Sequence, residues 1–390
     1  MSKEKRRVPK LRFPGFTEDW EQYRFDNLLK KNLERNDGKF NSDKTISIAR
    51  MKYNKLGNGA SDESLNNYKV LRFGDIAFEG HENKAFKFGR FVMNDIGDGI
   101  MSPRFTALRP IKVLDVDFWK EYINYEPIIQ KKLVNSTKKG TMMHELVVDE
   151  FLKQEILLPD KKEQQKIGRL LKLQSNIINL HQRKLEHLIL KKKALLQKLF
   201  PRNGNLYPDF RFPGFITPWE QRKLGECVDI STGFPFDSQD FNESGDYLVV
   251  TNGNIQENTP FVLNNVGNRI DLEDSLKKYI LDIDDLLVTM DGTVGRVAIV
   301  EDNKLVLAQR VCRIKSNEPY YIYQLLSKND FIQSMNKISH GGTIKHISLS
   351  EISEYQAFYP NSQKERIKIS KILTNYDKLI TLHQQEPFLC

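Results

Sequence analysis

Side chains able to do acid–base or metal chemistry are scattered in this sequence of 390 residues. His81-Glu82 and His144-Glu145 are isolated pairs, whereas a zinc ion needs three or four ligands. Pro159-Asp160 and Lys162 have the flavour of a nuclease centre, yet no second carboxylate stands at usable distance. No Walker A loop, His-Glu-x-x-His helix or Gly-x-Ser-x-Gly elbow occurs. The Asn-Pro-Pro-aromatic motif of an amino-methyltransferase is missing as well. Cys227, Cys312 and Cys390 stand at non-motif spacing, which excludes a disulfide scaffold and a cysteine-based zinc site. Without an assembled acid–base set, the chain reads as a binding protein.

The basic balance of the chain suggests a polyanionic partner. Two polar loops, residues 136–141 and 339–346, gather backbone N–H groups, hydroxyls and cations. Such loops suit phosphates and base edges; a plain connection is the alternative. In or beside them stand Arg90, Arg104, Lys138, Lys139 and His144, and later Arg296, Gln309, Arg310, Lys345 and His346. Arg and Gln carry paired groups that discriminate guanine and adenine edges, so these ten residues are the candidates for DNA contact. A structural ion pair or a surface charge is the competing role for each. Asp291-Gly292-Thr293-Val294-Gly295-Arg296 reads as a hairpin turn or a DNA-facing loop.

These residues are positioned by an internal repeat. Arg12-Phe13-Pro14-Gly15-Phe16 recurs 199 residues later as Arg211-Phe212-Pro213-Gly214-Phe215. Trp20-Glu21-Gln22 returns as Trp219-Glu220-Gln221, and Gly89-Arg90 as Gly295-Arg296. Arg104 aligns with Arg310, Gly140-Thr141 and His144 with Gly342-Thr343 and His346, and Leu180-His181-Gln182 with Leu382-His383-Gln384. The period is far too long for a solenoid, so a whole domain is duplicated.

Each copy is mixed α/β by pattern and ends in a helix. Strands are expected at 76–78, 88–93 and 105–108, then at 247–251, 285–289, 296–300 and 305–314, with single helices over 117–135 and 320–336. Residues 161–199 lack proline and predict a helix about 58 Å long, between Pro159 and Pro201, with a turn at Asn203-Gly204. Its heptad seam contains Ile167, Leu171, Ile178, Leu185 and, out of pattern, Lys192. Ile369, Leu373 and Ile380 repeat the seam. Pro387 then falls where Leu185 stood, so the second helix is expected to end near Gln385. Antiparallel packing of the two helices follows. The seam histidines His181 and His383 are expected to be ordinary polar residues.

The formal charge of +9 is organised along this repeat. Residues 161–200 hold 11 basic and two acidic side chains, against 29 and 24 before them and 20 and 25 after them. The basic helix can lie over phosphates, or simply expose its charges to solvent or to acidic partners. No apolar run approaches the roughly 18 residues of a membrane span. Residues 1–10 lack an apolar signal core, and the three scattered cysteines fit a reducing, cytoplasmic setting.

The duplicated Arg-Phe-Pro-Gly-Phe-x3-Trp-Glu-Gln, the Leu158-Pro159-x3-Glu163-Gln164-x2-Ile167 junction and the heptad helix resemble the DNA specificity subunit of type I restriction–modification systems. The stretch 359–366 repeats the junction with one extra residue, and Ser231-Thr232-Gly233-Phe234-Pro235-Phe236 resembles the opening of a target recognition domain. The resemblance implies an α/β (α+β) fold. Target recognition domains at 1–157 and 203–359 are joined by antiparallel coiled-coil-like helices at 158–202 and 360–390. Each domain would read half of a bipartite double-stranded DNA site, and the helices would set the spacer. Two methyltransferase subunits would modify adenine with S-adenosylmethionine, and motor-nuclease subunits using ATP and Mg²⁺ would cut unmodified DNA. The chain itself would hold no cofactor. A protein–protein adaptor and a standalone nuclease are the other two readings.

Overall fold

The computed structural model describes residues 8–54, 59–140, 143–202, 204–257, 259–342 and 344–385. Thr141, Thr343, Asn203 and residues 386–390, Pro387 among them, lie outside the described residues. The chain divides into two units, Met1–Ile178 and Asn179–Cys390.

The first unit contains β1 (Glu21–Arg24), β2 (Leu29–Lys31), β3 (Ile76–Glu79), β4 (Arg90–Met93) and β5 (Thr106–Pro110). Then come α1 (Val116–Tyr122), α2 (Glu126–Ser136), β6 (Thr137–Lys139), β7 (His144–Leu146) and β8 (Glu155–Leu158), followed by α3 (Lys161–Leu199). An antiparallel sheet in the order β2-β5-β3-β4 covers a core built on Phe25, Phe78, Phe91, Phe118, Trp119 and Phe151.

The second unit repeats this frame. Its strands include β9 (Glu220–Lys223), β10 (Asp229–Thr232), β11 (Tyr247–Val250), β12 (Leu286–Thr289), β13 (Val297–Ile299), β14 (Leu305–Leu307) and β15 (Val311–Lys315). After them come α4 (Pro319–Leu326), α5 (Asn329–Ile338), β16 (Gln356–Tyr359) and α6 (Gln363–Gln385). The antiparallel order β10-β15-β12-β13 matches that of the first sheet strand for strand.

The repeated motifs explain how each domain is closed. The Trp-Glu-Gln strand pairs antiparallel with the strand entering the junction: Glu21 faces Leu158, and Glu220 faces Tyr359. The arginine of the pentapeptide then clasps the junction glutamate. Arg12 donates from Nε and Nη2 to Glu163 at 2.7 and 2.8 Å; Arg211 does so to Glu365 at 2.8 and 2.9 Å. One helical turn on, Lys166 lies 4.9 Å from the Phe16 ring centre and Lys368 lies 5.1 Å from that of Phe215. The identical residues therefore fasten the start of each long helix to its own domain.

Several expected elements are cut. The helix over 117–135 is interrupted at Ile123–Tyr125, because Pro127 has no N–H to continue the ladder and enters the first turn of α2 instead. The helix over 320–336 breaks at Ser327-Lys328, where the Ser327 hydroxyl donates to the Tyr323 carbonyl at 2.7 Å and Lys328 is extended. The strand over 305–314 divides into β14 and β15. Phe234 intervenes, its N–H donating to Leu307 O and its carbonyl accepting from Gln309 N, both at 2.9 Å. A side chain at Gly233 would lie 2.1 Å from Leu307 O, so only glycine permits that approach.

The central helix has the expected bounds and α6 starts as expected, but their apolar seam serves two purposes. Ile167 packs on the first core, and Ile369 and Leu373 belong to the second. Ile380 is buried, while Leu171 and Leu185 are half-buried. Ile178 departs from the seam reading, with 51% of its surface exposed. The larger domain cores take the positions a strict coiled coil would reserve for a partner helix. Within the second unit α3 and α6 run antiparallel. The His181 and His383 rings lie 5.7 Å apart, and further up α3 but further down α6, Lys192 Nζ meets Asp377 Oδ1 at 2.5 Å.

A charge cluster locks the first sheet. Glu34 accepts from Arg72 at 2.7 Å and Arg109 at 2.8 Å, and Arg109 also holds the buried Asp75. The Arg72 and then the Arg109 hydrogen bonds bring the Glu34 carboxyl down to about 2 from an ordinary 4.5. A depressed carboxyl stabilises the fold above its unfolded value, and that stability is lost as the pH falls through the folded value. Wild type should therefore exceed Glu34→Gln in stability near neutrality, with the gap closing between pH 4.5 and about 2. Urea midpoints measured across that range check this; a constant gap would show that ionisation of Glu34 contributes nothing.

Candidate nucleic-acid interface

In the second unit three loops meet. The turn after β12 supplies Asp291, the turn between β14 and β15 supplies Gln309 and Arg310, and the loop after α5 supplies Lys345 and His346. Backbone hydrogen bonds join them: Met290 N to Arg310 O at 3.2 Å, Gly292 N to Lys345 O at 2.8 Å and Ile347 N to Met290 O at 2.9 Å. Buried Met290, Val294 and Ile347 form the floor. Above it, Asp291 receives His346 Nδ1 and lies 3.3 Å from Arg310 Nε. Gln309 is exposed, and Lys345 Nζ donates to Asn336 Oδ1 at 3.0 Å. His340 braces the same loop by meeting Glu351 at 3.0 Å. The Ser348 N–H foremost, with help from the Ser348 hydroxyl and His340, holds the Glu351 carboxyl below its usual range.

The first unit has a counterpart. His144 Nε2 meets Glu82 Oε1 at 2.7 Å, its ring packs edgewise on Phe88, and its N–H donates to Gly80 O at 2.8 Å. A Cβ at Gly80 would sit 1.8 Å from His144 O, so glycine is required there. The loop is a hairpin of β6 and β7, in which Lys138 faces Glu145 and Lys139 faces His144. Lys138, Lys139 and Arg104 are exposed and, among the described residues, have no side-chain partner.

Two candidates are placed differently from the rest. Arg90 is a brace: its Nε donates to Glu79 at 2.7 Å, its Nη2 donates to Ala49 O at 2.8 Å, and it lies over the Phe86 ring. Arg296 borders a cavity of about 460 Å³ with Lys192, Tyr323 and Asp377, away from the Asp291 cluster. The Asp-Gly stretch before it is the hairpin connection of β12 and β13. Sequence reading missed the two carboxylates that hold the repeated histidines, Glu82 and Asp291. Both follow the matching strands β3 and β12, which was the available signal, but they do not align residue for residue.

Among the described residues no group of three or more His, Cys, Asp or Glu is set to hold a metal ion, and no helix is long and apolar enough to cross a membrane. The site offers exposed cations and amides on a rigid floor, which is equipment for binding.

Comparison with known proteins agrees. Residues 17–189 and 216–388 each match the family model for the type I restriction modification DNA specificity domain. A Methanocaldococcus jannaschii protein named as the MjaX type I restriction enzyme specificity subunit is 23% identical, over 95% of this chain and 89% of its own. The MjaVIII specificity subunit of the same organism is 25% identical, over 68% of this chain and 65% of its own. The fold is similar to the crystal structure of a type I restriction-modification S subunit from M. genitalium, with a TM-score of 0.63 at 14% identity, covering 97% of this chain and 94% of that one. The duplicated frame, the duplicated clasp and two family matches thus place this chain in the type I restriction modification DNA specificity family, as a non-catalytic subunit that supplies DNA sequence specificity within a restriction–modification system.

Proposed function

We propose that each unit reads one half of a two-part double-stranded DNA site, and that the long helices set the spacing between halves. The carrying observation is an equal frame with unlike loops. Strand order, clasp and histidine–carboxylate tie are repeated, whereas the exposed candidate side chains differ: Lys138, Lys139 and Arg104 in one unit, Gln309, Arg310 and Lys345 in the other. Equal frames suit two approaches to one duplex, and unlike loops suit different bases.

In this reading two methyltransferase subunits dock on the helices and junctions and methylate adenine in each half with S-adenosylmethionine. Motor-nuclease subunits using ATP and Mg²⁺ join to cut unmodified DNA. The cofactors belong to those partners, and the assembly works in the cytoplasm.

The test is to map methylated adenines in a host that expresses the chain with its modification subunit. A two-part motif is expected, and exchanging residues 1–157 for those of another specificity subunit should change one half only. A motif untouched by the exchange would refute the assignment of half-sites to units. Binding of the modification subunit without any DNA preference would favour a protein adaptor.

A further inference from the structure

The Asp291 cluster allows the base chemistry of one half-site to be named. We propose that Arg310, buttressed by Asp291, reads a guanine through the major groove in the half-site of the second unit. This rests on the two-half reading above for which half is affected.

Three observations carry it. First, Asp291 lies 3.3 Å from Arg310 Nε, the side chain is 62% exposed, and among the described residues neither terminal nitrogen has a hydrogen-bond partner. Those two nitrogens form the planar pair that matches guanine O6 and N7. Second, the base of the cluster is rigid. Backbone hydrogen bonds tie all three loops, and the floor of Met290, Val294 and Ile347 is buried. A donor pair held in place discriminates bases better than a free surface arginine, because less side-chain freedom is lost on binding. Third, the same carboxylate also takes His346 Nδ1, so the imidazole directs its Nε2 away from Asp291 and stands beside the arginine as a second polar contact. Arg104, at the matching position in the first unit, is exposed with no carboxylate beside it among the described residues. The guanine assignment is therefore made for the second half alone.

The test uses the full chain with its modification subunit. The methylation motif is mapped for wild type, Arg310→Lys and Asp291→Asn. Lysine keeps the charge but loses the planar donor pair. Arg310→Lys should relax one guanine of the second half by about 5- to 150-fold and leave the first half unchanged. Asp291→Asn should relax the same position to a smaller extent. A duplex carrying 7-deazaguanine at that position lacks the N7 acceptor; wild type should bind it more weakly than the normal duplex, and Arg310→Lys should bind both alike. A second half with no guanine on either strand, or one whose preferences survive Arg310→Lys, would overturn the proposal. Should the variant fail to assemble, equal binding of both duplexes by wild type would overturn it as well. Failure of the two-half reading shows separately, in the exchange of residues 1–157, which leaves Arg310 untouched.

Discussion

Replacing Glu365 by alanine will destabilise the second unit by about 3–5 kcal/mol. The carboxylate is 1% exposed and accepts two hydrogen bonds from Arg211, itself 13% exposed. Its removal strands a guanidinium that has lost its water and its counter-charge. The negative charge also sits in the first turn of α6, where helix dipoles favour it. Hydrogen exchange resolved by peptide, along a urea series, reads the two units separately. Protection should fall in residues 204–385 and hold in residues 8–140. Glu163→Ala should mirror this in the first unit, since Arg12 and Glu163 form the same clasp with the same burial. The double variant Arg211→Met with Glu365→Leu should recover most of the loss, because a buried ion pair is often replaced by apolar groups at little cost. A loss below about 1 kcal/mol for Glu365→Ala would place the clasp among weak surface pairs.

Asp377→Ala should cost a similar amount, about 3–5 kcal/mol, and act on the contact between α3 and α6. Asp377 takes Lys192 Nζ at 2.5 Å on one oxygen and Gln324 Nε2 at 2.7 Å on the other. Gln324 is fully buried and Lys192 only 12% exposed, so the change would leave a buried amide without its acceptor and a mostly buried ammonium without its counter-charge. Exchange of the α3 and α6 amides should speed up before that of the sheet. Asp377→Asn keeps the Gln324 hydrogen bond but loses the ion pair, and should fall between wild type and alanine. If Asn and Ala variants were equally stable, the charge of Asp377 would have no part in the contact.

Lys192 shows where sequence reading reaches its limit. In the heptad it is a misfit, a cation in an apolar seam. In the structure it is matched by a carboxylate 185 residues away that has no counterpart in the other copy, where Ser175 stands. The clasps were visible as repeated motifs, but their purpose was not, because Arg12 and Glu163 are 151 residues apart. The candidate site was legible in part. Arg310, Lys345 and His346 do converge, whereas Arg90 is spent on Glu79 and Arg296 turns to a cavity.

The duplication, the helix bounds at Lys161 and Leu199 and the positions of most strands follow from the chain read locally. Repeats, proline stops and periodicity act over a few residues, so they survive without knowledge of the fold. Which polar side chains are braces and which remain free follows from folding alone. Glu82, Asp291 and Asp377 each choose a partner 55 to 185 residues away. A charge or an imidazole is left exposed, or is tied down, by whichever carboxylate the packed chain brings within hydrogen-bond reach.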